Sequence, residues 1–480
     1  MSFKKTFIKN ILISGGFNYL SQAIAFLSTI LLSRLLTPES YGFVAIITIF
    51  TGFLNIFSDS GMSLAIIRSD FLYTYHKSVD TLALFIGSLL CAATCLLAYP
   101  ISLFFKTPGL TLPMVIMSLS FIFRSMTLVR GALITKDMNF KFTGYVNLMT
   151  TIITVCFTVV LAYIGAGFWS LVIPQTLSGL VTLAFQERRI KFGFHIYSRA
   201  HVRVSFSHTR KTIGNLMGFN IVNYWSRNAD NLLVGRMYGT ADLGIYNRAY
   251  NLLTFPLSLI TGLIGAVLYP SLNKLKYSEE AIRKEYLFIM RLIGFISFPV
   301  AAILLLFSGP LVHILWGPSW MGVAQLLPYF GLLLLSQSLL STVGNMLVLV
   351  KREEVLRISG WLSAVAILSG IVYGAFISML GIAQFYSLAF IVLVLPLNLF
   401  YVYVNTLKFP LKTMLLFWGP KILFSVGIWL TCYYNNELAR VILLVLFFLS
   451  MLWNSRFEIG KLATILNNYF IKNADSNIQS

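Results

Sequence analysis

Apolar runs of about 20 residues, long enough to cross a bilayer core as a helix, follow one another along almost the whole chain. Short polar breaks part them, and Gly, Pro, Trp and Tyr gather at these breaks. Fourteen runs can be counted, centred near residues 23, 55, 92, 122, 154, 177, 224, 257, 301, 336, 366, 392, 422 and 446. The last is the shortest: Val441 to Trp453 spans only if Glu437 and Arg440 sit at an interface. The pattern predicts an all-α polytopic membrane protein of about fourteen transmembrane helices.

One stretch departs from it. Gly218 to Tyr250 begins inside an apolar segment, yet it places Asn220, Asn223, Arg227 and Asp230 at spacings of 3, 4 and 3. At about 100° per residue these side chains share an arc of roughly 80°, one polar stripe on a greasy helix. A charge at mid-bilayer depth costs roughly 2.5–3.5 kcal/mol on the lenient scales, so the stripe is expected to face protein or water rather than lipid.

Composition agrees with the pattern. Hydrophobic residues make up 58% of the chain and charged ones 11%, with a mean hydropathy of +0.81, which excludes an ordinary soluble globular protein. The formal net charge of +20 would suit a nucleic-acid partner, but its distribution does not. With the N-terminus taken as cytosolic, 28 of the 36 Lys and Arg fall on that side and four (Arg34, Lys106, Arg236, Arg440) on the other. Arg124, Arg227, Arg248 and Lys421 remain within spans. This positive-inside asymmetry predicts both termini in the cytosol, an even number of spans and no nucleic-acid partner. Ile11 to Ser33 exceeds a signal-peptide core and ends at Arg34 without a small-x-small cleavage site, so it reads as the first span.

An internal repeat organises the chain. A shift of 202 residues lays Gly16-Phe17-Asn18 on Gly218-Phe219-Asn220, Leu31 on Leu233, Arg34 on Arg236 and Gly42 on Gly244, six identities over 27 positions without a gap. The two halves then start in the same orientation, as parallel repeats related by an axis along the membrane normal. The expected organisation is an N-terminal six-helix lobe (1–190), a basic cytosolic linker (191–211), a C-terminal six-helix lobe (212–407), and two further helices with a tail (408–480). The linker alternates basic and apolar residues and suits an anionic leaflet. Its His195, His201 and His208 are spaced by six and seven, which matches no compact metal motif. Cys91, Cys95, Cys156 and Cys432 lie in apolar segments without paired spacing and read as small buried hydrophobes.

No hydrolytic, transferase or nucleotide-binding motif is present: neither GxxxxGK nor HExxH nor GxSxG occurs. No catalytic residue, cofactor or metal is expected, and transport would draw on a gradient or on the substrate's own concentration. What remains is a set of ionisable groups at membrane depth. Arg227 and Asp230, at i and i+3, read either as a self-neutralising pair or as a donor for an anionic substrate beside an ion-responsive carboxylate. Arg124 is a second candidate donor, since a guanidinium grips pyrophosphate in two-pronged fashion. Asp59, within FSDSG, is either a second ion-coupling candidate or a turn requirement. Arg248 is a cavity candidate that lies one turn into its span, where it could equally snorkel. Asn18, Asn220 and Asn223 suit sugar hydroxyls or ordinary interhelical hydrogen bonds. Lys421 is open between a cavity and a lipid groove.

Several stretches resemble the recurring patterns of bacterial polysaccharide or O-antigen flippases, in the multidrug/oligosaccharidyl-lipid/polysaccharide exporter superfamily. They are LSRLLTPESYGFVAI at 32–46, FSDSGMSLAIIR at 57–68, RGALITKDMNFKFTG at 130–144, RNADNLLVGRMYGTADLGIYNRAYNLLTFPLSLITGLIGAVLYPSLNKL at 227–275, WGPSWMGVAQLLPYFG at 316–331 and KREEVLRISG at 351–360. The resemblance implies twelve core helices in two lobes plus two more, around a cavity that opens alternately to each side of the inner membrane. It implies an isoprenoid-linked oligosaccharide on undecaprenyl pyrophosphate as substrate, with membrane lipids, a polysaccharide polymerase and export machinery as partners. It carries a cavity role to Arg227 and Asp230, and structural roles in the outer turn to Gly239, Gly244 and Tyr246. A drug or cation antiporter of the same superfamily would want acidic cavity groups instead. A membrane-embedded glycosyltransferase or polymerase would want a large outer loop or a carboxylate site.

Overall fold

The computed structural model describes residues 3–59, 62–68, 73–193, 221, 224–273 and 279–453. Every regular element among them is a helix, and the chain is an all-α polytopic membrane protein. Ten helices among the described residues are long and apolar enough to cross a membrane. Of the four other expected spans, that near 177 is a helix ending in Glu187, Arg188 and Arg189. That near 224 falls partly outside the described residues, and that near 257 lies within the helix Thr240–Asn273. The last is a 17-residue helix over 437–453 that includes both Glu437 and Arg440.

The chain forms two compact units, Met1–Asn247 with His313–Met321, and Arg248–Val312 with Gly322–Ser480. The first contains α1 (Phe3–Leu35), α2 (Pro38–Asp59), α3 (Met62–Arg68), α4 (Tyr73–Phe104), α5 (Thr111–Lys136), α6 (Phe140–Tyr163), α7 (Trp169–Ile190) and α8 (224–237), and the first turns of α9 (Thr240–Asn273). Helix α1 packs on α6, and α5 packs on both α4 and α7. Turn chemistry sets the joints. Asn139 caps α6 by accepting from the backbone N–H of Phe142, and Gly239, at φ 91°, takes the left-handed corner between α8 and α9.

The second unit continues α9 and adds α10 (Glu279–Leu306), α11 (Ser308–Trp316, shared with the first unit), α12 (Met321–Leu340), α13 (Val343–Leu349), α14 (Glu353–Ala375), α15 (Met379–Ala389), α16 (Leu395–Leu397), α17 (Leu411–Tyr433) and α18 (437–453). Wide π-helical turns at Phe390–Val394 and Asn398–Thr406 flank Pro396. Proline cannot donate into an α-helical ladder, and the wider turn accommodates the gap.

Inside the first unit, contacts repeat at the 202-residue interval. The ring of Phe105 lies against Gly235, and Trp320 Nε1 donates to the carbonyl of Ser33 at 2.8 Å; 33 and 235 are one interval apart. Arg236 stacks over Phe104 at 5.1 Å, and Arg34 Nη2 donates to the carbonyl of Ile314 at 2.8 Å. Between them α2 and α9 cross backbone to backbone. A Cβ on Gly42 would land on the carbonyl oxygen of Thr240, and one on Gly244 would land on that of Pro38. Pro38 and Thr240 are also 202 apart, so the crossing is reciprocal.

Because both obstructing atoms are main chain, neither helix can relieve a methyl group by changing a rotamer. Gly42→Ala and Gly244→Ala are each expected to cost about 3 kcal/mol or more, and the double variant should cost less than the two together because both open the same crossing. Thermal unfolding of the purified variants in detergent checks this, with Gly16→Ala, where the added methyl meets open space, as the neutral control.

Candidate functional site

A cavity of about 130 Å³ opens inside the first unit between α2, α5 and α7. Its polar lining is Thr48, Thr51 and Asn55 of α2, Ser120 and Arg124 of α5, and Gln175 of α7. On α2 the lining positions 48, 51, 52 and 55 follow the 3-4-3 rhythm of one helix face, and on α5 so do 117, 120, 121 and 124. The hydroxyls of Thr48 and Thr51 donate to their own helix, at Ala45 and Ile47, which leaves their oxygens as acceptors. Asn55 Oδ1 accepts from Ser58 Oγ. Arg124 is exposed and makes no ion pair among the described residues. Among the described residues no acidic side chain lines the cavity. A lone guanidinium ringed by hydroxyls and amides can hold an anionic oxygen and hydrogen-bond a polyhydroxylated group beside it.

Helix α8 is fastened next to this cavity. Tyr224 OH donates to the carbonyl of Ile49 and sits over Gly52, a lining residue. Phe53 packs against the rings of Tyr224 and Trp225. Arg227 follows three residues later on the same face, exposed and without an ion pair among the described residues. The structure does not form the self-neutralising pair of Arg227 and Asp230. Asp230 is 1% exposed. Its Oδ1 accepts from the backbone N–H and the Nδ2 of Asn231, and its Oδ2 accepts from Tyr246 OH at 3.0 Å. Asn247 Nδ2 donates in turn to Asn231 Oδ1. Neutral donors satisfy the carboxylate, tying α8 to the start of α9 and leaving Arg227 uncompensated.

The other sequence candidates are dispersed. Arg248 lies on α9 and is 5% exposed. Asn18 is exposed, and its Oδ1 accepts from Asn147 Nδ2 at 3.4 Å, an α1–α6 contact. Asp59 closes α2, where its Oδ1 accepts from the backbone N–H of Ser63 at the start of α3. Asn220 and Asn223 lie outside the described residues, as does 194–220, which holds most of the linker and its histidines.

Sequence reasoning missed the most heavily bonded charge. Arg130 is wholly buried: Nε meets Glu187 Oε2 at 2.6 Å, Nη1 meets Asp80 Oδ1 at 3.2 Å and donates to Met126 O, and Nη2 donates to Gly193 O. Phe192 covers it at 5.1 Å, and Glu187 accepts from the Gly193 N–H. The knot ties α4, α5 and α7 to the first residues after α7, beside a core of Met62, Ile66, Val79, Leu82 and Val129. Its members lie 50 and 57 residues apart, so no local spacing announces it.

Residues 31–325 match the family described as polysaccharide biosynthesis protein. The chain belongs to this family. Among characterised relatives, it is 24% identical over 332 residues to the lipopolysaccharide biosynthesis protein WzxC of Escherichia coli, covering 68% of this chain and 66% of the relative. It is 24% identical over 385 residues to the succinoglycan biosynthesis transport protein ExoT of Rhizobium meliloti, covering 77% and 75%. In fold it is similar to the lipid II flippase MurJ in an inward closed conformation, with a TM-score of 0.72 at 16% identity over 94% of this chain and all of that one. It is also similar to an inward-facing multidrug transporter of the MATE family in the MOP superfamily, with a TM-score of 0.61 at 14% identity over 81% of this chain and 95% of the other. The resemblance read from the motifs is therefore correct, and so is the expectation of a superfamily fold.

Cutting away the Arg130 guanidinium would leave two carboxylates without their shared partner. Arg130→Ala is expected to cost about 3–5 kcal/mol, whereas replacing Arg130, Asp80 and Glu187 together by apolar residues of similar volume should restore much of the loss. Thermal unfolding of both variants in detergent measures the difference.

Proposed function

We propose that the protein is a flippase that moves a lipid-linked oligosaccharide repeat unit, carried on undecaprenyl pyrophosphate, across the bacterial cytoplasmic membrane for export of a surface polysaccharide. The observation that carries this reading is the cavity at Arg124: one guanidinium without an ion pair, a ring of hydroxyls and amides, and no carboxylate in the lining, all among the described residues. An unaccompanied pyrophosphate cannot cross hydrocarbon, because each unpaired charge costs far more than thermal energy. A path that offers a guanidinium and polar acceptors removes most of that cost. Membership of the polysaccharide biosynthesis family and relatives named for lipopolysaccharide biosynthesis and succinoglycan transport support the substrate class, and favour a transporter over an enzyme.

A cavity of about 130 Å³ admits a phosphate group or part of one sugar ring, so a glycan headgroup requires it to widen during the cycle. Alternating access supplies the widening, with lobes 1–190 and 212–407 joined by the linker 191–211 as its moving parts. Arg227, Arg248, Asn18, Asn220 and Asn223 would contribute to the wider path, and Asp59 and Asp230 would be the ion-responsive carboxylates of this half. Both termini would face the cytosol. Cationic drug antiport is disfavoured, because a cationic substrate would meet Arg124 rather than a carboxylate.

Arg124→Ala and Arg227→Ala are expected to reduce polymer export by at least about ten-fold, a loss of roughly 1.4 kcal/mol or more in substrate stabilisation, with unchanged amounts of protein in the membrane. The lipid-linked intermediate should then accumulate on the cytosolic face, which labelling with a membrane-impermeant, sugar-directed reagent in spheroplasts and inverted vesicles would read. Normal export by Arg124→Ala would sink the substrate role of the cavity.

A further inference from the structure

The second unit buries a cation that the cavity leaves unexplained. Lys421 lies midway along α17 and is 6% exposed. Its Nζ donates to the carbonyl of Phe417 at 2.6 Å and sits 3.6 Å from the centre of that residue's ring. Beside it is a space of about 10 Å³ lined by Ser297 of α10, Ser336 of α12 and Ser425 of α17, with Leu335, Leu395 and Phe447 as apolar walls. No Asp or Glu borders this space, and Lys421 makes no ion pair among the described residues. Among the described residues, a second cation, Arg291 of α10, is near enough to act on it electrostatically. The lining residues from α12, α16 and α18 carry no titratable group.

Polar groups lead away from the site. Ser338 Oγ donates to Ser297 Oγ at 2.9 Å. Four residues beyond Ser338, in the turn after α12, Thr342 Oγ1 and Tyr286 OH share a hydrogen bond of 3.2 Å, and Tyr286 OH meets Tyr403 OH at 3.5 Å. All five residues are buried. These residues come from α10, α12, the turn after α12 and the π-helical turn at Asn398–Thr406.

We propose that Lys421 is a proton-carrying site of the second unit, with this hydroxyl seam as its path. A fixed charge at membrane depth without a counter-charge is costly, and the adjoining space has the room of about one water, too little for a larger counter-ion. In the transfer step the ammonium N–H bond breaks, the proton passes to a water in that space, and the electron pair stays on nitrogen as a neutral amine. The amine retains N–H groups and keeps its bond to the Phe417 carbonyl, so both protonation states fit the same geometry. Each hydroxyl of the seam can donate and accept, which a proton relay requires. As a coupling site this rests on the transport reading above; as a titrating site it stands alone.

The test uses full-length protein with its lysines isotope-labelled at Cε, the Lys421 resonance being assigned by its loss in Lys421→Met and, independently, in Lys421→Arg. The resonance is expected to shift as pH is varied over the range in which the protein stays folded, and to be indifferent to chloride. A resonance constant across that range, or one that moves with chloride instead, overturns the proton site. In vesicles with an imposed pH gradient, the ratio of lipid-linked sugar moved with and without the gradient should fall to one in Lys421→Met. An unchanged ratio overturns the coupling. If the resonance titrates while wild-type vesicles move no lipid-linked sugar, the transport reading fails and the proton site stands.

Discussion

Two helices cross where neither has a side chain to put between them, and the arrangement of the first unit follows from that crossing. Gly42 on α2 faces the carbonyl of Thr240, and Gly244 on α9 faces that of Pro38. Within hydrocarbon no hydrophobic force draws helices together, so close van der Waals approach at small residues has to do so. The reciprocity fixes more than one contact. With Pro38 and Thr240 matched, the ends of α1 and α8 come to equivalent places, and each receives an aromatic residue: Trp320 at Ser33 and Phe105 at Gly235. A symmetric frame is built from residues that differ in chemistry but agree in position.

Onto that frame the chain places charges in three electrostatic conditions. Arg130 is compensated by opposite charge and by carbonyls, which makes it expensive to disturb and of little use to a ligand. Asp230 is compensated by neutral donors from Asn231 and Tyr246, so it binds α8 to α9 without consuming a cation. Arg124 and Arg227 have no ion pair among the described residues. An uncompensated charge in a membrane protein is tolerable only where water or substrate reaches it. The bonding of Asp230 to neutral donors therefore leaves Arg227 without an ion pair among the described residues.

Much of this was legible in the sequence, and the limits have physical reasons. Spans show because bilayer thickness sets a length that hydropathy reports directly. The repeat shows because a glycine required at a backbone crossing cannot be replaced by drift, so Gly42 and Gly244 keep their register. Arg124 and Arg227 stand out because charges inside spans are rare. The threonines and asparagine of the cavity do not stand out, although 48, 51 and 55 carry the same rhythm as the stripe noticed at 220–230. A hydroxyl in an apolar helix usually bonds its own backbone, as Thr48 and Thr51 do, and spacing cannot say that its oxygen also faces a void. The Arg130 knot was out of reach, because its partners are brought together only by the packing of α4, α5 and α7.

The same frame sharpens where chemistry has been added. Carrying the 202-residue interval along α2 into α9 sets Thr48, Thr51 and Asn55 against Tyr250, Leu253 and Leu257. Tyr250 packs edge-on to Phe330, and Leu253 is fully buried. Positions that line a polar cavity in one copy are thus core-forming or apolar in the other. A duplicated scaffold that needed both copies for the same task would keep both polar. The divergence argues that the two copies differ in task; under the proposed function, recognition of an anionic, hydroxylated group falls to the first. The second unit, on helix α17 beyond the repeated region, buries a different cation, Lys421, among serines and apolar walls, where no glycan fits.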